Sequence, residues 1–110
     1  MRILVRDRDP RVATLIQDAL TAQGYAVDVR DDVLASADQR RHGLLILDAA
    51  GTVQRLRALG CRIPILFLAE PSVAAEEVRN LDGVGILPKP FDLDELRWEV
   101  ALAVDPPGGD

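Results

Sequence analysis

Three short runs of large aliphatic residues punctuate the chain: Ile3-Leu4-Val5, Leu44-Leu45-Ile46-Leu47 and Ile65-Leu66-Phe67-Leu68. None alternates with polar residues, which is the pattern of a strand covered on both faces. Each run ends in charge, in Arg6-Asp7-Arg8-Asp9, in Asp48 and in Ala69-Glu70. Between the first two runs the period becomes helical. Val12, Leu15, Ile16, Ala19 and Leu20 recur on one side of a helix that opens with Asp9 as N-cap and Pro10 in its first turn, and closes at Gly24. Strands separated by helices imply parallel pairing through crossovers, because antiparallel hairpins have shorter links.

The remaining elements fill in around these. Tyr25, Val27 and Val29 alternate with Ala26, Asp28 and Arg30, the period of an edge strand with one wet face. Asp31 and Asp32 open a second helix running to about Arg41, with Val33, Leu34 and Ala37 as its small apolar set. After Asp48, Val53, Leu56 and Leu59 mark a short third helix stopped by Gly60, and Pro64 introduces the next strand. A fourth helical pattern, capped by Ser72 and carrying Ala74, Val78 and Leu81, ends at Asp82-Gly83. Gly85-Ile86-Leu87 makes a short strand at the other edge, followed by a stiff corner at Pro88-Lys89-Pro90-Phe91 in which the Lys89-Pro90 bond is a candidate for the cis form. Asp92 caps the last helix, whose stripe is Leu93, Leu96, Val100 and Val104, and residues 105–110 have the composition of a linker.

This succession predicts an α/β fold: a doubly wound five-stranded parallel sheet in the order 2-1-3-4-5 within one domain over 1–104, followed by a Pro/Gly-rich tail. In such sheets ligands bind outside the carboxyl ends of the strands where the order reverses, here between the first and third strands. That rule brings Asp7 and Asp48 together.

Composition narrows the function. At 110 residues with 48% hydrophobic residues the chain suffices for one core. A net charge of -5 argues against a nucleic-acid backbone partner, which clustered Lys and Arg would attract. A lone Cys61, read as a small filler before the fourth strand, and a lone His42, read as a loop residue, build neither a disulfide framework nor a Cys/His zinc site. No run approaches a membrane span of ~20 residues, and Met1-Arg2 leads straight into a strand, so a cytoplasmic protein without membrane contact is expected.

The opening Met1-Arg2-Ile3-Leu4-Val5 with Asp7-Arg8-Asp9-Pro10, the Leu44 to Asp48 strand, Ile63-Pro64-Ile65-Leu66-Phe67-Leu68, and above all Lys89-Pro90-Phe91-Asp92-Leu93-Asp94-Glu95-Leu96 together resemble the receiver domain of bacterial two-component response regulators. The resemblance covers residues 1 to about 104. It implies a flavodoxin-like fold, no enzymatic activity, and a phosphoacceptor at Asp48 supplied by a histidine kinase. It further implies an acid pair after the first strand that helps hold Mg²⁺, and a hydroxyl residue and a lysine that contact the phosphoryl oxygens. Asp48 and Lys89 keep their positions. The acid pair is reduced to Asp7 because its neighbour is Arg8, the hydroxyl position is Ala69, the aromatic switch position reads Ile86, and the link from Asp48 into the next helix is shortened.

Asp7, Asp48, Arg8 and Lys89 sum to zero charge where the family pocket is near -2, and Arg8 is expected to repel Mg²⁺ and to attract Asp48. Two unit charges about 4 Å apart interact by ~4 kcal/mol at an effective dielectric near 20, which is large against residual metal affinity. The expectation is therefore an atypical receiver, acting through protein contacts with no cofactor, in which Arg8 or Lys89 pairs with Asp48. A working phosphoacceptor and a small-ligand sensor in the switch-point crevice are the alternatives, the second weakened by the lack of a glycine-rich loop after the first strand.

The last helix carries a second candidate. On a wheel of about 100° per residue from Leu96, the stripe Leu93, Val100 and Val104 falls within roughly 80°, whereas Trp98 and Leu102 fall near 200° and 240°. An exposed Trp with a Leu at i+4 is the kind of anchor that interfaces enrich. A homodimer or partner contact, with a histidine kinase or an output domain as possible partners, is expected through the face of the fourth helix, fifth strand and fifth helix. The alternative is that Trp98 lies flat against its own chain.

Overall fold

The computed structural model describes residues 1–33, 41–71 and 76–104. Five strands, β1 (Arg2–Arg6), β2 (Ala26–Val29), β3 (Leu44–Leu47), β4 (Ile65–Ala69) and β5 (Val84–Pro88), form one sheet in the order β2-β1-β3-β4-β5, every neighbouring pair parallel. The helices among the described residues are α1 (Pro10–Ala22), α2 (Ala50–Ala58), α3 (Glu76–Arg79) and α4 (Leu93–Val104). The predicted helix over 32–41, the Ser72 cap with Ala74, and the tail over 105–110 lie wholly or mostly outside the described residues.

Successive strand residues point to opposite faces, so the unbroken apolar runs feed two cores. Ile3, Val5, Leu44, Ile46, Leu66, Leu68 and Leu87 pack with α1 and α4. Leu4, Leu45, Leu47, Ile65 and Phe67 pack with Val53 and Leu56 of α2 and Val78 of α3. β3 and β4 are buried at every position. Each such side chain contributes roughly 1.5–3 kcal/mol when fully buried, and this sandwich holds the strand ends in place.

The predicted caps that fall among the described residues, Asp9 and Asp92, are present. Asp9 accepts from the backbone N–H of Arg11, a bond that holds its exposed carboxyl below the usual range. Asp92 and Glu95 form a reciprocal capping box at the start of α4. Gly24 and Gly60 close α1 and α2 at φ of 98° and 89°, values a side chain resists. The Lys89-Pro90 bond is cis.

Three parts of the hydrophobic reading need correction. Leu15, placed on the core stripe of α1, is 48% exposed, while Ala13 takes a buried place, because the core side of α1 is centred on Ile16 and Leu20. Leu59 lies past the end of α2 and is exposed. The wet face of β2 is not simply wet: Asp28 is half-buried and bonded to His42, a loop residue, as expected, but a buried one. Cys61 does fill space beside the α2-side core. The chain ahead of β5 is fixed by Arg57, whose guanidinium donates to the carbonyls of Cys61, Asp82 and Gly83. Burial lowers the pKa of that guanidinium.

Candidate functional site

In the sheet register Arg6 of β1 lies opposite Leu47 of β3, so the next residues, Asp7 and Asp48, leave the sheet side by side at the switch point. Both are buried, with side chains 0% and 1% exposed. Two carboxylates this deep need partners, and each has a separate set.

Asp48 lies between two arginines. Arg6 Nη1 donates to Oδ1 at 3.0 Å, and Oδ2 accepts from the Arg8 backbone N–H at 3.0 Å and from Arg8 Nε at 3.4 Å. Arg6 also donates through Nε to the Asp31 carbonyl at 3.1 Å, which ties the carboxyl ends of β2, β1 and β3 together. Arg6 shares the strand face of Leu4, the α2 side, and its side chain is 31% exposed against 67% for Arg8.

Asp7 belongs to a second group. Its Oδ1 accepts from the Asp9 backbone N–H at 2.9 Å and its Oδ2 from Lys89 Nζ at 2.8 Å. Lys89 Nζ also reaches Glu70 Oε1 at 3.1 Å. Burial by itself would pull the lysine down, but the hydrogen bonds to Asp7 and Glu70 outweigh it and hold its pKa above the usual value. Of the two partners expected for Asp48, Lys89 is not the one: the lysine enters from the end of β5 and meets Asp7 and Glu70 instead. Arg8 does pair with Asp48, as expected.

Ala69 ends β4 beside this group, buried, its carbonyl accepting from the Lys89 backbone N–H at 2.8 Å, and it brings no hydroxyl. Ile86 sits in β5 and packs against the α2-side core. Among the described residues, the ion pairs at the mouth set Arg6, Arg8 and Lys89 against Asp7, Asp48 and Glu70, and the formal charges of these six groups sum to zero. Among the described residues, no three His, Cys, Asp or Glu side chains are grouped so as to hold a metal ion.

Arg6 and Glu70 were missed by the sequence reading. The signals were there: Arg6-Asp7-Arg8-Asp9 alternates sign where a buried strand ends, and Glu70 follows β4 directly. His42 was missed too. Its Nε2 lies 2.9 Å from Asp28 Oδ2, and Arg2 Nη1 reaches both oxygens of the same carboxylate at 3.0 Å.

Trp98 and Leu102 stand apart from the mouth, on α4. Trp98 is 65% exposed, so it does not lie flat on its own chain. Leu102 is half-buried and departs from the expected exposed pair, because the end of α4 crosses the amino ends of β4 and β5 and Leu102 joins Pro64, Ile65 and Gly85 along a groove there.

Comparison with known proteins agrees with this architecture. No protein-family model matches the chain. The transcriptional regulatory protein TctD of Salmonella typhimurium is 36% identical over 110 residues, covering 87% of this chain and 48% of that protein. Response regulator MprA of Mycobacterium avium is 34% identical over 108 residues, covering 87% and 47%. The chain therefore spans about half the length of the curated relatives it matches. Among solved structures, the chemotaxis protein CheY4 of Vibrio cholerae superposes with a TM-score of 0.77 at 23% identity over 93% of this chain and 97% of that one, a likeness of fold. No helix among the described residues is long and apolar enough to cross a membrane. With the all-parallel 2-1-3-4-5 sheet, an aspartate at the end of β3 and a lysine at the end of β5, the chain is a receiver domain of the two-component response-regulator kind.

Proposed function

We propose that this receiver domain transmits its signal through protein contacts, without Mg²⁺-dependent phosphorylation of Asp48 and without enzymatic activity or a cofactor of its own. One observation carries the reading: both oxygens of the buried Asp48 carboxylate are engaged by arginine, Oδ1 by Arg6 and Oδ2 by Arg8. A phosphoryl group arriving there meets no hydroxyl at Ala69, and Lys89 is committed to Asp7 and Glu70. Phosphoryl transfer depends mainly on positioning and on neutralising charge at the transferred group. The donor set suits Mg²⁺ poorly, since one acid of the pair is Arg8 and the charge at the mouth is already balanced.

The reading includes a cytoplasmic location, a protein partner such as a histidine kinase or an output domain, no direct contact with nucleic acid or membrane, and a homodimer through the α3, β5 and α4 face centred on Trp98, with Leu102 at its border. The exposed indole supports the last part. Sedimentation tests it: the wild type is expected to self-associate at high micromolar concentration and Trp98→Glu to weaken that association, whereas a monomeric wild type would end the dimer reading.

A working phosphoacceptor remains the second reading, favoured by the retention of Asp48 and Lys89 at the strand ends. Intact-mass spectrometry after acetyl phosphate in Mg²⁺ separates the two. The proposal expects no added phosphate. A phosphate adduct in the wild type that is lost in Asp48→Asn would establish the second reading.

A further inference from the structure

We propose that Arg6 is a built-in counter-cation for Asp48, supplying from the chain itself the positive charge that a divalent ion supplies in receivers that bind one. Arg8 is the sequence's conspicuous substitution, but the geometry assigns the larger share to Arg6. Its contact with the carboxylate is the shorter side-chain contact, 3.0 Å against 3.4 Å, and its side chain is half as exposed. A charge farther from water is screened less, so the same pair interacts more strongly. Arg6 is also pre-positioned. It rises from the last residue of β1, and its Nε is held by the Asp31 carbonyl while Nη1 holds Asp48, so one guanidinium spans the ends of β2 and β3. Arg8 contributes chiefly its backbone N–H, a bond that any residue at that position would make.

Lys89 has no part in this, being held by Asp7 and Glu70. Removing Arg6 therefore leaves Asp48 with Arg8 alone, its backbone N–H and its exposed side chain. Removing Arg6 and placing an acid at position 8 leaves Asp7, Asp48 and the new carboxylate beside a lysine already shared with Glu70. That is an anionic mouth in which a hard divalent cation with oxygen ligands is favoured.

The inference rests on the reading of the site above but fails separately from it. Phosphate on Asp48 that forms equally with and without Mg²⁺ would end the reading of a domain that signals without phosphorylation and leave the counter-cation standing. A Mg²⁺ response of the wild type without phosphate addition would do the reverse.

The experiment is thermal unfolding of the whole chain in millimolar MgCl₂ against NaCl of matched ionic strength. The wild type and Arg6→Lys, which keeps the cation, are expected to show no difference between the salts. Arg6→Ala is expected to gain a measurable Mg²⁺-dependent rise in midpoint, and Arg6→Ala/Arg8→Asp a rise of several degrees. Arg8→Asp alone is expected to gain less than the double variant, because Arg6 still covers Asp48. Should the double variant not fold, Arg6→Ala gives the same readout. The proposal is overturned if the wild type responds to Mg²⁺ as strongly as the Arg6→Ala variants do, if the folded Arg6→Ala variants do not respond, or if Arg6→Lys responds as Arg6→Ala does.

Discussion

Two ion clusters lie at opposite ends of β1, built to the same plan and exposed to different degrees. At the carboxyl end, Asp48 lies between Arg6 and Arg8. Toward the amino end, Asp28 lies between Arg2 and His42. In both, an acid on one strand or strand end is held by a base from β1 and by a second base from a neighbouring loop. The difference lies in which member is buried. At the mouth the acid is 1% exposed and its bases reach solvent, whereas at the other end the side chain of His42 is 1% exposed and Asp28 is 22% exposed. The two arginines at the mouth keep their charge, since arginine does not deprotonate in proteins. The partly exposed Asp28 carboxyl, held low chiefly by its hydrogen bond with His42, couples the other cluster to pH. The first arrangement suits a neutralised functional pocket, and the second a tether that brings the returning chain down onto β2 before β3.

Breaking the mouth cluster at its acid has the largest expected effect. Asp48→Ala leaves Arg6 and Arg8 without their carboxylate, with only the Asp31 carbonyl left to Arg6. Loss of one member of a fully buried pair costs ~3–5 kcal/mol, and the solvent access of both arginines reduces this to about 2–3 kcal/mol. Chemical denaturation should show the lowered midpoint with an unchanged slope, and a midpoint equal to wild type would mean that the contacts with Asp48 are energetically idle.

The second cluster should break more gently. His42→Ala removes one partner of Asp28 while Arg2 remains, a loss of about 1–2 kcal/mol, near the net value of a hydrogen bond to a charged group. It also changes the pH profile. The Asp28 carboxyl is held below its ordinary 3.8 chiefly by the hydrogen bond with His42, which outweighs the opposing effect of burial, with Arg2 adding to it. A depressed carboxyl stabilises the fold above its unfolded pKa, and that stability is lost as pH falls through the folded value. The wild type should thus lose stability on acidification below about pH 4, and His42→Ala should lose less over that window. Equal acid limbs in the two proteins would show that the imidazole does not set the Asp28 carboxyl.

Lys89 titrates on the alkaline side. Its pKa stands above 10.5, so its ion pairs stabilise the fold fully below that value and are lost as pH rises through the folded one. Lys89→Met should flatten the alkaline limb of a stability-against-pH curve, and an alkaline limb identical to wild type would dissociate the lysine from Asp7 and Glu70. The smallest effect on stability is expected at Trp98, where Trp98→Glu should change the monomer by less than ~0.5 kcal/mol because the indole touches little of its own chain. A larger loss in dilute protein would mean that the indole packs on its own fold.

The sheet was legible because its evidence is local. Unbroken apolar runs, Asp9-Pro10, Gly24, Gly60 and Asp92 each declare an element or its end, and together they leave few topologies. The meeting of Asp7 with Asp48 followed from strand order alone. What stayed hidden depended on side chains that reach sideways. Nothing in the spacing tells whether Lys89 turns toward Asp48 or toward Asp7 and Glu70, since the acids leave adjacent strands a few ångströms apart. Arg6 sits at a strand position whose inward or outward bias is decided by what lies at the sheet end. Asp28 and His42 are separated by 14 residues, and a period-2 pattern places Asp28 on a wet face without knowledge of the chain that covers it. Leu102 misled for a related reason: an angle on a helical wheel says which way a side chain points, not which strand end lies beneath it.

The central claim is that arginine, not a metal ion, completes the Asp48 carboxylate. Its most direct test is a crystal structure of the chain grown in MgCl₂ with beryllofluoride, the phosphoryl mimic. The account predicts the Arg6 guanidinium about 3.0 Å from Asp48 Oδ1, the Arg8 N–H on Oδ2, and no beryllium adduct or Mg²⁺ at the carboxylate. A beryllofluoride group on Asp48 beside a bound Mg²⁺, with Arg6 turned away, would contradict it.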